Sequence, residues 1–291
     1  MHSYLKSIGF GGIVKESEID EVLKDVYQNY DHRNAVKKPE GAFVEMYRKF
    51  GPDMGICLCG MIDESGFHRQ YYFPYFEGSG VTTTEEINLE QRSGGDSCAG
   101  ICDDGRVGFS LIFYLQNPSV YYRTEGINIL ADSRTETTFT GLASEGKIIL
   151  PAKQREESFE QRQMELMKHT RLVSAAKNGD QEAMESLTIE DMDLYSMVSR
   201  RIEKEDVLSI VDTYFMPGGM ECDQYQIMGT ILYYTKVKNQ YTGETVYQMT
   251  IECNDMIFDV CINAADLLGD PDEGRRFKGN IWLQGKVNCK L

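Results

Sequence analysis

The residues best equipped for chemistry lie near the end of the chain, in Gly274-Arg275-Arg276-Phe277-Lys278-Gly279-Asn280-Ile281-Trp282. Paired guanidinium groups grip carboxylate or phosphate bidentately, and an indole beside them adds a stacking face. Arg275, Arg276, Lys278 and Trp282 are therefore a candidate site for a small anionic ligand, or on a small barrel for single-stranded nucleic acid. The opposing reading is structural. The loop Asp270-Pro271-Asp272-Glu273 stands beside the arginines as an internal counter-charge, and a lone tryptophan is ordinary core material. Residues 208–291 hold 11 acids against 7 bases, so no wide basic groove surrounds the cluster, and nucleic acid is disfavoured.

Other candidates divide in the same way. Asp103 and Asp104 can bind a hard cation or do acid–base work, but Asp104-Gly105 is also a hairpin turn. His68 lies in an expected strand beside Arg69; a general base needs a partner in hydrogen-bond reach, and the alternative is a half-exposed strand histidine. Tyr72 and Tyr75, in Tyr71-Tyr72-Phe73-Pro74-Tyr75-Phe76, can line a groove for a sugar, base or peptide, or can simply pack across strands. Cys57-x-Cys59 with Cys98-x-x-x-Cys102 lacks knuckle spacing and an adjacent histidine, so buried thiols are expected rather than a metal site, and no cofactor is implied. Glu221-Cys222-Asp223 precedes a strand and is read as a turn. There is no P-loop, nucleophile elbow or dinucleotide glycine fingerprint.

These residues need elements to hold them. Ile19, Val22, Leu23, Val26, Tyr27 and Tyr30 recur at helical spacing, with Ser17 as the expected cap and a polar loop at Asp31–Gly41. Met54–Ile62 and Phe67–Phe76 flank a turn and read as a hairpin. Gly78–Gly95 reads as a long loop. Val107–Gln116 reads as a strand that Asn117-Pro118-Ser119 breaks and Val120–Arg123 resumes, and Thr135–Leu142 and Lys147–Leu150 as two short strands around Ser144-Glu145-Gly146. With no βαβ spacing, the sheet is expected to be antiparallel. Helix formers crowd 153–207, with helices over Glu156–Lys177, from an Asp180 cap through Leu187, and from Thr188. Tyr225–Val237, Thr245–Cys253, Met256–Ile262 and Arg276–Val287 are strands, with one helical turn at Ala264–Leu268.

The expected fold is α+β in three parts: an antiparallel-sheet domain with helices on one face at 1–152, a helical connector at 153–207, and a small β-barrel of oligonucleotide-binding or SH3-like type at 208–291. The net charge of −16 argues against nonspecific binding to nucleic acid and against docking on an anionic membrane. With no spanning apolar run and no signal-type opening segment, the expected location is the cytoplasm, with free thiols.

Three segments carry a resemblance: Met1-His2-Ser3-Tyr4-Leu5-Lys6-Ser7-Ile8-Gly9-Phe10, Ser110-Leu111-Ile112-Phe113-Tyr114-Leu115-Gln116-Asn117 and Gly279-Asn280-Ile281-Trp282-Leu283-Gln284-Gly285. Together they resemble a family of bacterial proteins known only as a domain of unknown function. The resemblance spans the chain and implies a bacterial cytoplasmic protein. It brings no catalytic residue, cofactor or substrate. The functional expectation is a binding or scaffolding protein with an unknown protein or small anionic partner. Two alternatives stand beside it: an enzyme acting on a polar small molecule at the domain junction through Asp103, Asp104 or His68, and nucleic-acid binding through the barrel.

Overall fold

The computed structural model describes residues 2–92, 97–124, 135–151, 179–189 and 211–288, with residues 168, 171, 172, 175, 176 and 192. Most of the expected connector lies outside the described residues; of Glu156–Lys177 only residues 168, 171, 172, 175 and 176 are described, all helical. Further on, residues 181–189 are helical, and Asp180 Oδ1 accepts the backbone N–H groups of Glu182 and Ala183, as an N-cap should. Thr188 is not a cap, since it falls inside this helical run with its hydroxyl donating to the Met184 carbonyl at 2.8 Å. No helix among the described residues is long and apolar enough to cross a membrane.

The first sheet has four antiparallel strands in sequence order: β1 (His32–Lys38), β2 (Gly41–Gly51), β3 (Met54–Asp63) and β4 (Gly66–Phe76). The β3–β4 hairpin stands where the turn signal placed it. The polar loop expected at Asp31–Gly41 is instead the edge strand β1, whose charged side chains hide the period-2 signal because neither face is deeply buried. Gly41, at φ +144°, closes the β1–β2 turn, and a Cβ there would sit 2.3 Å from the Ile62 carbonyl oxygen. Helix α1 (Glu16–Gln28) covers the sheet through Ile19, Val22, Leu23 and Val26. Ser17 is not its cap; Lys15 holds that position, and the Glu18 carboxylate reaches back to the N–H groups of Val14 and Lys15, each at 3.0 Å.

The second sheet is mixed. Its strands are β5 (Ile87–Gln91), β6 (Cys98–Asp104), β7 (Phe109–Leu115), β8 (Glu136–Ile149), β9 (Tyr214–Pro217), β10 (Gln224–Lys238), β11 (Thr245–Cys253), β12 (Met256–Asn263), β13 (Leu267–Leu268) and β14 (Arg276–Asn288). β8, β12, β11, β10 and β14 close into a five-stranded barrel, because β14 pairs with both β10 and β8. β8 runs parallel to β12, so the all-antiparallel expectation holds for the first sheet only. The barrel also crosses the expected boundary, since β8 comes from before residue 152. β8 is one strand rather than two. Gly146, read as part of a turn, lies opposite Gly279 in the ladder, and the Phe277 ring fills the space their missing side chains leave. Val120–Arg123 is not a resumed strand; it belongs to a short helix, α2 (Ser119–Thr124), and Ile87–Gln91 forms β5 inside an expected loop.

Buried polar groups tie the first sheet to the second sheet and to α2. Gln116 Nε2 donates to the Phe76 carbonyl, Thr140 Oγ1 and Gln284 Oε1 at 2.8–3.0 Å, while Gln284 Nε2 donates to the Pro74 carbonyl at 2.8 Å. Glu45, fully buried on β2, accepts from Asn34 Nδ2 and Tyr47 Oη at 3.0 Å and from the Ser119 N–H at the start of α2. Burial pushes its carboxyl above the usual range, and those donors pull it back only in part.

Replacing Gln116 by Leu strands the carbonyl of Phe76 and the amide of Gln284 in the core. The expected loss is about 2–4 kcal/mol in urea unfolding, and a loss below about 1 kcal/mol would refute the tie. For Glu45 the folded carboxyl titrates above the unfolded one. Its contribution is therefore complete below about pH 4.3 and is lost as pH rises through the folded value. Wild type should lose stability relative to Glu45→Gln as pH rises above about 4.3, the ordinary carboxylate value; a flat difference would refute the burial account.

Candidate functional site

The structure scatters the C-terminal cluster. Arg276 is 4% exposed and donates to the carbonyls of Leu150 and Val211 at 3.0 and 2.8 Å. Arg275 faces the loop behind it, bonding the Asp270 carbonyl at 3.0 Å with Asp272 at 3.8 Å. Lys278 lies over the Tyr214 ring, 5.6 Å from its centroid. Trp282 is buried elsewhere: its indole N–H donates to Asp223 Oδ2 at 2.7 Å, which also takes Arg92, and the rings of His2, Tyr4 and Tyr114 surround it. Burial drops His2 to about 4 and lifts Tyr4 to about 12, so both are neutral near pH 7. The four residues do not form one anion site.

The other candidates separate as well. Asp104 is 3% exposed and gripped by the Arg106 guanidinium, which also bonds the Thr82 carbonyl, and that pairing holds its carboxyl below the usual range. Asp103 takes the Ser110 hydroxyl at 2.5 Å on the surface. His68 lies in strand β4, as expected, next to the β3–β4 turn, where one nitrogen, Nε2, meets both Ser65 Oγ at 2.7 Å and Asp63 Oδ1 at 3.2 Å. A catalytic triad needs the serine and the carboxylate on opposite ring nitrogens, so these three residues make a turn brace, and the turn hydroxyl and N–H of Ser65 draw Asp63 down to about 2. Tyr72 and Tyr75 do not share a groove. Tyr72 Oη accepts the His2 N–H at 3.3 Å, whereas Tyr75 is 1% exposed against Tyr47. Cys57 and Cys59 are buried side by side with sulfurs 3.6 Å apart, and burial lifts the Cys57 thiol well above its usual value.

What the fold does assemble is a polar groove of about 440 Å³ where the first sheet meets the barrel. Its floor is the barrel's outer face. Asn254 and Asp255, both at positive φ, make the two-residue β11–β12 turn, which sets Thr250 opposite Asp259. A bulge at Leu232 then sends Ile231 into the barrel and brings Tyr233 opposite Thr250. Tyr233, Thr250 and Asp259 thus lie in one cross-strand row, with Thr235 and Gln248 beside it. The wall is the stretch after β4. Gly78 passes so close to β8 that a Cβ would meet Thr140 Cγ2 at 2.6 Å, and this approach lets Ser79 reach Asp259.

Asp259 is 7% exposed and takes three neutral donors: the Ser79 N–H and hydroxyl at 2.7 and 2.8 Å, and the Thr250 hydroxyl at 2.6 Å. No cationic side chain touches it among the described residues. The lysines nearby serve other carboxylates, Lys49 binding Asp53 and Glu77, and Lys286 binding Glu77. Two other pockets are less equipped. In one of about 530 Å³, Glu244 is consumed by the N–H groups of Gly11 and Gly12 and by Asn263; one of about 330 Å³ beside α1 has Leu23, Leu58 and Phe67 in its lining. Sequence reasoning missed the groove. The available signal was Asp259 itself, a lone acid inside the apolar run Met256-Ile257-Phe258-Asp259-Val260-Cys261-Ile262.

These features define a mostly β protein in which a closed barrel and a four-stranded sheet share a polar cleft. The chain matches, over residues 5–285, the family described as "Domain of unknown function, E. rectale Gene description (DUF3881)", and it belongs to that family. No curated protein and no solved structure matches it.

Arg92 is the only cation bonded to Asp223 among the described residues. Arg92→Met leaves that carboxylate, 1% exposed, with the indole N–H and no counter-charge, at an expected cost of roughly 3 kcal/mol. The emission of the sole tryptophan, followed through urea unfolding, checks it directly; an unchanged midpoint would mean the pair is worth nothing.

Proposed function

We propose that the protein binds a small polar molecule in the groove between sheet and barrel, and that it acts as a binding or scaffolding protein rather than as a catalyst. The observation that carries this is the row Tyr233–Thr250–Asp259, held in register by a turn and a bulge and open to the cleft. Ligand sites favour concave junctions with a few convergent polar groups, and this groove has that form. The barrel's closure with five strands supports reading it as the small oligonucleotide-binding or SH3-like kind. Nucleic-acid binding has lost its support, since Arg275 and Arg276 are engaged with their own chain. The enzyme reading rested on Asp103, Asp104 or His68 and would gain support from their convergence in one pocket, but no contact joins His68 to either aspartate among the described residues.

The test is a fragment screen by two-dimensional NMR on the full chain. Hits should shift the amides of Tyr233, Thr235 and Thr250, and Thr235→Trp, which fills the cleft from a half-buried position, should abolish those shifts while leaving the unfolding midpoint near wild type. Hits confined to the pocket beside α1 would overturn the assignment.

A further inference from the structure

We infer that the ligand of the groove is a small organic cation of the alkyl polyamine class, with one ammonium seated on Asp259 and another reaching the ring of Tyr233. This rests on the groove being the binding site, as proposed above, and adds the chemistry of its occupant.

The charge pattern points to a cation. An ionised carboxylate removed from water needs a counter-charge as well as hydrogen bonds. Every acid around the groove except Asp259 has one within the protein: Glu77 has Lys49 and Lys286, and Asp53 has Lys49. Asp259 has hydrogen bonds alone, all from neutral donors, and it lines an open cleft. Those donors fix both oxygens in place, and an arriving ammonium would supply the missing charge through a charge-assisted bond. An anion would meet three lining carboxylates, Asp53, Glu77 and Asp259, against the single lining ammonium of Lys286.

The second end of the ligand follows from the register. Tyr233 is two strand steps from Asp259, with Thr250 between, which is roughly 10 Å along the floor at ~4.8 Å per step. Tyr233 is 58% exposed. A ring face attracts an ammonium within about 6 Å of its centroid, so a chain of a few methylenes joins the two stations. The −16 charge of the whole protein would raise the local concentration of such a cation and speed its arrival.

The experiment uses the full chain, with titration calorimetry and two-dimensional NMR against putrescine, spermidine, glucose and glutarate. Putrescine or spermidine should bind, more weakly as salt rises, and shift the amides of Tyr233, Thr250 and Asp259. Asp259→Asn should weaken binding at least about tenfold. Tyr233→Ala, at an exposed position that the fold does not depend on, should weaken it about 2–5-fold while Tyr233→Phe keeps it, so the inference stays testable even if the Asp259 variant fails to fold. Glucose or glutarate shifting the groove while both amines leave it unmoved would overturn the cationic ligand and keep the groove as a site. Silence of the groove toward all four, with fragment hits elsewhere, would overturn both.

Discussion

The structure depends first on the pairing of β14 with β8. The two strands run antiparallel from Arg276 opposite Ile149 to Asn288 opposite Glu136, with one irregularity at Asn280–Ile281. This ladder closes the barrel and joins chain from either side of residues 152–210. It also seats Gln284 where it can meet Gln116 and the Pro74 carbonyl, so the same strand that closes the barrel docks the four-stranded sheet onto it. The long-range pairing has to repay the loop entropy of everything between residues 149 and 276, and a fully paired ladder is a way to do so. The space for Phe277 opposite Gly146 and Gly279 is the local condition on which its register rests.

The groove is a consequence of that docking. A barrel's outer face carries polar residues by default, and by itself the row Tyr233–Thr250–Asp259 would be a solvated surface. It becomes a cleft because the chain leaving β4 is brought over it and Ser79 bonds Asp259. The polar ties near this junction do different work. Gln116 donates to Gln284, to Thr140 and to the Phe76 carbonyl, and Gln284 donates to the Pro74 carbonyl, so these neutral groups fix geometry with no charge among them. Asp259 is bonded but not neutralised, which separates a site from a staple.

Much of the fold was legible where periodicity and turn chemistry agreed. The β3–β4 hairpin, the β11–β12 turn at Asn254-Asp255 and the apolar stripe of α1 each announce themselves locally. What was hidden is non-local. β1 reads as a loop because an edge strand with little burial has no reason to alternate. The sequence around Ser144-Glu145-Gly146 reads as a turn because a glycine that makes room for a distant phenylalanine looks the same as one that makes a bend. The barrel draws a strand from before residue 152 for a similar reason: nothing in Glu136–Ile149 says that its partner lies more than a hundred residues on.

The site was less legible than the fold, and the cause is physical. The conspicuous clusters, Arg275-Arg276, Asp103-Asp104 and the tyrosines of β4, are dense in sequence, and neighbours in a strand point to opposite faces. Local density therefore favours braces, turns and core over convergence, as Arg276, Asp104 and Tyr75 show. The cleft is assembled from single residues on β10, β11 and β12, and one of them is aimed by a bulge that Ile231-Leu232-Tyr233-Tyr234 conceals, all four being apolar or aromatic. A charged residue standing alone in an apolar strand must be bonded from outside that strand. Asp259 is bonded by Thr250 on the next strand and Ser79 from the other side of the cleft, so its isolation in the sequence follows from the same arrangement that makes it the centre of the site.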